Sequence, residues 1–386
     1  MPRIIGVKPK HALFDPRQGP EGPVGSVWAH LQGDAMHKVM IRACALGFVA
    51  GTAMANDSFV GYGIGGLELR STETVAMLRE DLTIRPNRVQ VRYVYRNETA
   101  EPVTAMVAFP LPEYTIPADP WDMLPDNPAA MDFDTRIDGQ SVALELDAIA
   151  RLDGVERSAD LQRLGLPMQP LRGHVLHRAI AELPEEARDW LRAEGLLSAD
   201  GLPNWTLQTV FLREQQFPPG QEVVVEHSYV PMSGGMLDSW FPGPEDISVF
   251  ALWDGLGPWH MEMHETYCPT PEIRSRGRAQ MDGQTGIAGF HTWTSDAVEY
   301  VLTTGANWRG PIGLFRLVVE ADDPWDFVLL CLPGARWVSQ SRVEFEARDF
   351  VPDRDLAIHF ARAAGYGVVE AREAGLLPPP FSDVSP

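Results

Sequence analysis

From Arg88 to Arg96 the side chains alternate: Val89, Val91, Tyr93 and Tyr95 fall on one side, Arg88, Gln90, Arg92 and Arg96 on the other. A period of two sets an apolar row against a core and a charged row in water, the pattern of a half-buried strand. The turn Asn97-Glu98-Thr99-Ala100-Glu101-Pro102 follows, then a returning strand over 103–109. Pro110 and Pro112 stop that strand, because proline has no N–H to give a ladder. Asp138-Gly139 joins 133–137 to 141–146 as a two-residue hairpin whose turn tolerates positive φ.

After about residue 150 the pattern changes. Pro184, Glu185 and Glu186 open a segment that Gly195 closes, the punctuation of a helix, and 152–166 and 174–183 also have helical spacing. Strand patterns resume at 205–213 and 222–230, around the turn cluster Phe217-Pro218-Pro219-Gly220, and recur at 298–303, 314–319, 327–332, 342–345 and 356–360. The fold class expected is mainly β: two β-sandwich-like units, 56–150 and 204–360, with a helical insertion at 151–203 and a C-terminal tail at 361–386.

The chain has 386 residues, with 32 Lys plus Arg against 53 Asp plus Glu, a net of −21. Such an acidic balance disfavours nucleic acid, which needs a basic face. No run reaches the roughly 18 apolar residues that would cross a bilayer. The front of the chain carries a different signal. Met36-His37-Lys38-Val39-Met40-Ile41-Arg42 is basic, 43–51 is apolar, and Ala53-Met54-Ala55 is an A-x-A exit, the three parts of a secretory signal peptide. Cleavage after Ala55 is expected, with residues 1–35 lying upstream of a native start at Met36 or Met40 and the product periplasmic or secreted. Residues 1–55 hold six basic and three acidic groups, so the remainder carries 26 against 50, a net of −24. Cys268 and Cys331 are then the two cysteines left, and in an oxidising compartment they read as a disulfide. It would close a loop of about 60 residues and contribute roughly 4 kcal/mol.

Asn56-Asp57-Ser58 after the leader, Gly65-Gly66-Leu67, the strand 89–97 and Phe109-Pro110-Leu111-Pro112 together resemble the start of a secreted bacterial family, domain of unknown function 4424. The stretch Thr303-Thr304-Gly305-Ala306-Asn307-Trp308-Arg309-Gly310-Pro311-Ile312-Gly313 is similar to the same family, as is Asp349-Phe350-Val351-Pro352-Asp353-Arg354-Asp355-Leu356. The resemblance implies an exported, β-rich protein and carries no catalytic residues. The strand–turn–strand ending in Phe109-Pro110-Leu111-Pro112 is also similar to the vault and inter-alpha-trypsin β-sandwich domain, though no von Willebrand A-type metal motif follows it. Phe109 is expected to plug the core where the prolines end the strand.

Four patterns invite chemistry. Gly61, Gly63 and Gly66 match G-x-G-x-x-G, but the dinucleotide fingerprint needs a strand before and a helix after, and a chain cut at Ala55 leaves too little ahead of Gly61. Flexible glycine near a terminus is the plainer reading. In Trp259-His260-Met261-Glu262-Met263-His264-Glu265, His260, Glu262 and His264 would share a strand face, or His260 and His264 a helix face; His291 or His227 could add a third metal ligand. A polar strand face is the expectation. Asp132, Asp134 and Asp138 suggest calcium, but Arg136 takes a ligand position and Gly139 comes too late for an EF-hand turn. The acidic, proline-rich stretch 119–126 reads as a solvated loop or a partner-binding one. No G-x-S-x-G elbow, reactive-cysteine context or phosphate loop is present.

The function expected is a non-catalytic binding or interaction module of the cell envelope, without a cofactor, whose partner is an envelope protein or a small ligand. The alternative is a metal-dependent envelope hydrolase built on His260, Glu262 and His264.

Overall fold

A computed structural model describes residues 57–63, 66–115, 131–168, 173–238, 257–284, 292–364 and part of 372–380. The leader pattern at 36–55, the loop at 119–126 and His291 lie outside these residues. The described chain is mainly β, in three sheets. The largest has eight strands in the order β17 (Arg336–Ser339), β18 (Arg342–Phe350), β15 (Ile312–Glu320), β3 (Val75–Arg85), β4 (Arg88–Asn97), β12 (Glu222–Tyr229), β7 (Asp134–Ile137) and β8 (Gln140–Ser141). Its pairs are antiparallel apart from β3 and β15, which run parallel with Leu82 opposite Leu317. A seven-stranded sheet runs β10 (Val155–Glu156), β9 (Glu145–Leu152), β11 (Thr206–Phe217), β5 (Val103–Pro110), β1 (Ser58–Gly63), β2 (Gly66–Arg70), with β6 (Tyr114–Thr115) also on β11. The third sheet has four strands: β13 (Ser233–Asp238), β14 (Thr292–Tyr300), β19 (Leu356–Ala364) and β16 (Phe327–Leu330).

One face of the eight-stranded sheet is apolar and is covered by both smaller sheets. Val89, Val91, Tyr93 and Tyr95 of β4 all point inward, as their alternation predicts, and join one core cluster with Val107, Phe109, Phe211 and Phe217 of the seven-stranded sheet. The same cluster takes in Val298, Tyr300, Val328, Ile358 and Phe360 of the four-stranded sheet. Two sandwich-like halves therefore share a single sheet. Strands from 56–150 and from 204–360 interleave in it, and the described residues from 57 onward belong to one compact unit. The reason is β3: having paired with β4 on one edge, its other edge is completed by β15, far along the chain.

Each half is backed by helices on its outer side. Leu161, Leu176, Ile180 and Leu191, from α1 (Ser158–Arg163), α2 (Gly173–Glu182) and α3 (Glu185–Ala193), pack with Ala148, Ala150 and Leu207 on the seven-stranded sheet. Tyr267 of α4 (Gly257–Tyr267) and Ile273 of α5 (Pro271–Gln284) pack with Trp293, Phe327 and Ala361 on the four-stranded sheet.

Several boundaries differ from those the sequence predicts. Helix does not begin at 152: β9 runs to Leu152, and Asp153 (φ 52°) with Gly154 (φ 77°) turns the chain into β10 before α1 starts. The two left-handed residues make a hairpin that the helical spacing hid. Strand does not continue through 303, because Thr303 to Asn307 form a 3-10 turn. Asp355 holds that turn, its Oδ1 accepting from the N–H groups of Leu302 and Thr303, both at 3.0 Å. Burial pushes the Asp355 carboxyl above its usual range, against those hydrogen bonds. Residues 361–364 belong to β19 and not to a tail. Gly61, Gly63 and Gly66 lie in an ordered hairpin, β1 pairing with β2 and Gly63 facing Gly66, so no helix follows the glycines.

Candidate functional site

Ionisable residues occupy inward positions on three of these strands, and two of them meet at one buried polar site. Arg213 lies on the face of β11 marked by Phe211 and Phe217, and His227 on the face of β12 marked by Val225 and Tyr229. Glu80 faces inward because the β3–β4 register shifts between Met77 and Arg79, which reverses the parity of the strand beyond the bulge. All three side chains are buried.

Asp57, the first described residue, meets two of them, Arg213 and His227. Arg213 donates to it through two nitrogens, at 3.0 Å to Oδ1 and 2.5 Å to Oδ2. Tyr95 donates to Oδ2 at 3.2 Å, and His227 Nε2 lies 3.1 Å from Oδ1. Trp308 Nε1–H donates to the Asp57 carbonyl at 2.7 Å, and Asn307 donates to Ser58 Oγ at 3.0 Å. Burial alone would raise the Asp57 carboxyl, but Arg213 and His227 hold it well below the usual carboxylate range. Burial lowers His227, against the pull of Asp57, so the imidazole is neutral at pH 7. Its Nε2–H then donates to Asp57, and Nδ1 accepts from Thr135 Oγ1 at 2.7 Å. A Tyr93–Tyr300 hydroxyl pair at 3.0 Å carries the seam on towards Glu80, across the junction of the two halves.

Thr135, His227 and Asp57 thus stand in the order hydroxyl, imidazole, carboxylate. Their exposures are 1%, 2% and 0%, so the hydroxyl is closed to solvent. The residues by which the sequence resembles a family gather around the seam. Trp308 packs on Tyr95 at 4.2 Å between ring centres, and Phe109 lies 4.7 Å from His227. Pro110 ends β5 just past Ala108, where β1 pairing also stops, so its missing N–H falls at the end of that ladder. Leu111 is buried and its N–H reaches the Thr209 carbonyl at 2.8 Å. Gly310 and Pro311 are exposed and carry the chain into β15, Gly310 at φ 71°. The sequence reading named His227 only as a possible third metal ligand and Asp57 only within the family resemblance, and it did not single out Arg213 or Tyr300.

The accessible candidate is on the opposite face of the eight-stranded sheet. There the outward residues of β3, β4, β12 and β7 line an open groove of about 550 Å³, floored by the backbone where Val91 and His227 turn inward. Asp81, Arg92, Asp134, Arg136 and Glu226 bring charge of both signs, and Thr83, Gln90 and Ser228 add hydrogen-bonding groups. Asp134 pairs with Arg136 at 3.0 Å, and Asp81 with Arg79 at 2.6 Å. Arg92 is held more loosely, 3.8 Å from Glu226 and 4.0 Å from Asp81, with its side chain 41% exposed. Its donors are available to a third party.

The residues weighed as metal ligands, His260, Glu262 and His264, fall on one helical segment. Their segment is helix α4, not the polar strand face expected, so Glu262 is exposed while His264 is buried. The helix ends where Cys268 takes a left-handed φ of 46° and its N–H bonds to the His264 carbonyl at 3.0 Å. His227 belongs to the buried seam. No group of three His, Cys, Asp or Glu poised for a metal occurs among the described residues. The three aspartates considered for calcium are dispersed: Asp132 pairs with Arg88, Asp134 with Arg136, and Asp138 forms the turn with Gly139 at φ 48° and 81°. Cys268 and Cys331 are joined by a disulfide, with 4.9 Å between their Cα atoms, tying the end of α4 to the end of β16.

Comparison with known proteins adds little about ligands. No curated protein matches the chain. A crystal structure from Legionella pneumophila, provisionally described as a nutrient binding protein, is similar at 16% identity and a TM-score of 0.38, covering 80% of this chain and 70% of that one. The family model of a domain of unknown function, DUF4424, matches residues 55–359, which is most of the sequence, and the chain belongs to that family.

Proposed function

We propose that this protein is an exported, non-catalytic binding module of the cell envelope that takes a polar ligand on the outer face of its eight-stranded sheet. The observation that carries the reading is the groove across β3, β4, β12 and β7, where Arg92 stands between two carboxylates without closing on either. A ligand with both hydrogen-bond donors and acceptors suits walls of mixed charge, and a volume of about 550 Å³ is in the range of small-molecule sites. The one described hydroxyl–imidazole–carboxylate array is sealed in the core, which supports binding over catalysis. Export is supported by the leader pattern and by the Cys268–Cys331 disulfide, a bond that persists in oxidising compartments. No described helix is long and apolar enough to cross a membrane.

The test is a thermal-shift screen of sugars, amino acids and short peptides on the wild type and on Arg92→Ala and Glu226→Gln, two surface changes. A compound that raises Tm in the wild type and in neither variant supports the groove; a hit unaffected by both changes places the ligand elsewhere and sinks the assignment. Mass spectrometry of the protein recovered from the envelope fraction should show a chain starting at Asn56, and a product retaining the leader would overturn the export reading.

A further inference from the structure

A second recess lies at the end of the sheet where β3 and β15 begin and β18 finishes. It has a volume of about 340 Å³, and its walls come from 71–73, 306–311 and 350–351. Its chemistry is opposite to that of the groove. Ala306, Trp308, Pro311, Phe350 and Val351 make it mainly apolar, and among its nine lining residues Glu73 is the single ionisable one. Glu73 is exposed and has neither an ion pair nor a side-chain hydrogen bond to any described residue. Val351 is 61% exposed at the rim, one of few large apolar side chains left so open among the described residues.

The walls are fixed before any ligand arrives. The Thr72 N–H donates to the Asn307 carbonyl at 2.8 Å and the Arg309 N–H to the Val75 carbonyl at 2.9 Å, stitching the first wall to the second. Thr72 Oγ1 accepts the Thr74 N–H at 3.1 Å, which shapes the turn that presents Glu73. Phe350 pairs in register with Ile312 and stacks on Phe315 at 4.8 Å, which holds the third wall. Rigid walls spare a ligand the cost of ordering its site.

We infer that this recess is a second binding site, independent of the groove, for a small organic cation with an apolar body. The apolar walls take the body out of water and the unpaired Glu73 carboxylate meets the charge; a neutral analogue loses the second contact and an anionic one is repelled. The volume of about 340 Å³ suits a small molecule.

The probe is 4-phenylbutylamine, with 4-phenylbutanol and 4-phenylbutyrate as neutral and anionic counterparts, titrated into the wild-type protein to about 10 mM and followed by saturation-transfer NMR and calorimetry. The amine should bind about tenfold more tightly than the alcohol, and the acid not at all. Glu73→Gln should reduce the amine to the level of the alcohol, and Val351→Arg, which sets a guanidinium at the rim, should abolish amine binding. Both positions are exposed, and an unchanged Tm checks that each variant folds. Glu226→Gln, in the groove, should leave amine binding as it was. Equal affinity for all three probes, no amine binding, or amine affinity indifferent to Glu73→Gln overturns the proposal.

Discussion

At the scale of single residues the molecule depends on a charge pair hidden from water. Burying a carboxylate and a guanidinium is tolerable because Asp57 and Arg213 meet through two hydrogen bonds, with Tyr95 and His227 filling the remaining valences. Removing one partner strands the other. Asp57→Asn leaves the Arg213 charge buried and should cost about 3–5 kcal/mol in urea unfolding, while the double change Asp57→Asn with Arg213→Met should recover part of that loss. Stability should also depend on pH. His227 titrates below 6.5 when folded, so below that value the unfolded chain binds the extra proton and the folded one does not. Stability is then lost as pH falls from about 6.5, and Asp57 adds its own loss once pH drops below about 3.8. Urea midpoints between pH 5 and 8 check the first part, and a flat profile there removes His227 as the cause. Little of this was legible beforehand. Asp57 reads as the polar exit of a leader, and its partners lie 156 and 170 residues away. The usable signal was Arg213 on an inward face between Phe211 and Phe217, since a charge on such a face must find its opposite.

Among the elements, alternation served well where strands are half-exposed, as in β4 and β12, and failed where both faces are covered. Buried on every side from Leu207 to Arg213, β11 shows no clean period, and its true length, to Phe217, exceeds what its pattern suggested. Alternation also misled at 259–265, where polar residues two apart belong to helix α4 and its ends, not to a strand. The bulge in β3 left no sequence mark, yet it aims Glu80 inward and is met by a specific neighbour. A Cβ on Gly313 would lie 2.7 Å from the Leu78 carbonyl oxygen, closer than real contacts allow, and the atom in the way is backbone. Gly313→Ala should therefore force β15 away from β3 and lower stability by about 1–3 kcal/mol, read as a fall in Tm. Unchanged stability would show that the bulge can relax.

For the whole molecule, the sequence showed a mainly β chain but not the sheet that its early and late strands share, because pairing partners between distant strands leave no local trace. A shared sheet and one continuous core predict a single cooperative unfolding transition, with fluorescence and far-UV dichroism coincident; two separated transitions would show that the halves are energetically independent. The Cys268–Cys331 link closes a span of 63 residues. Replacing both cysteines by serine should lower stability by roughly 4 kcal/mol without dividing that transition.

The parallel contact between β3 and β15 also sets an order of events in time. Arg79 must wait for Leu314 before its strand is flanked on both edges, so a nascent chain released from its N-terminus outward exposes an open ladder for most of its synthesis. Until then the early strands are a template for neighbours of the wrong kind, and the closing of that edge by β15 is what removes the hazard.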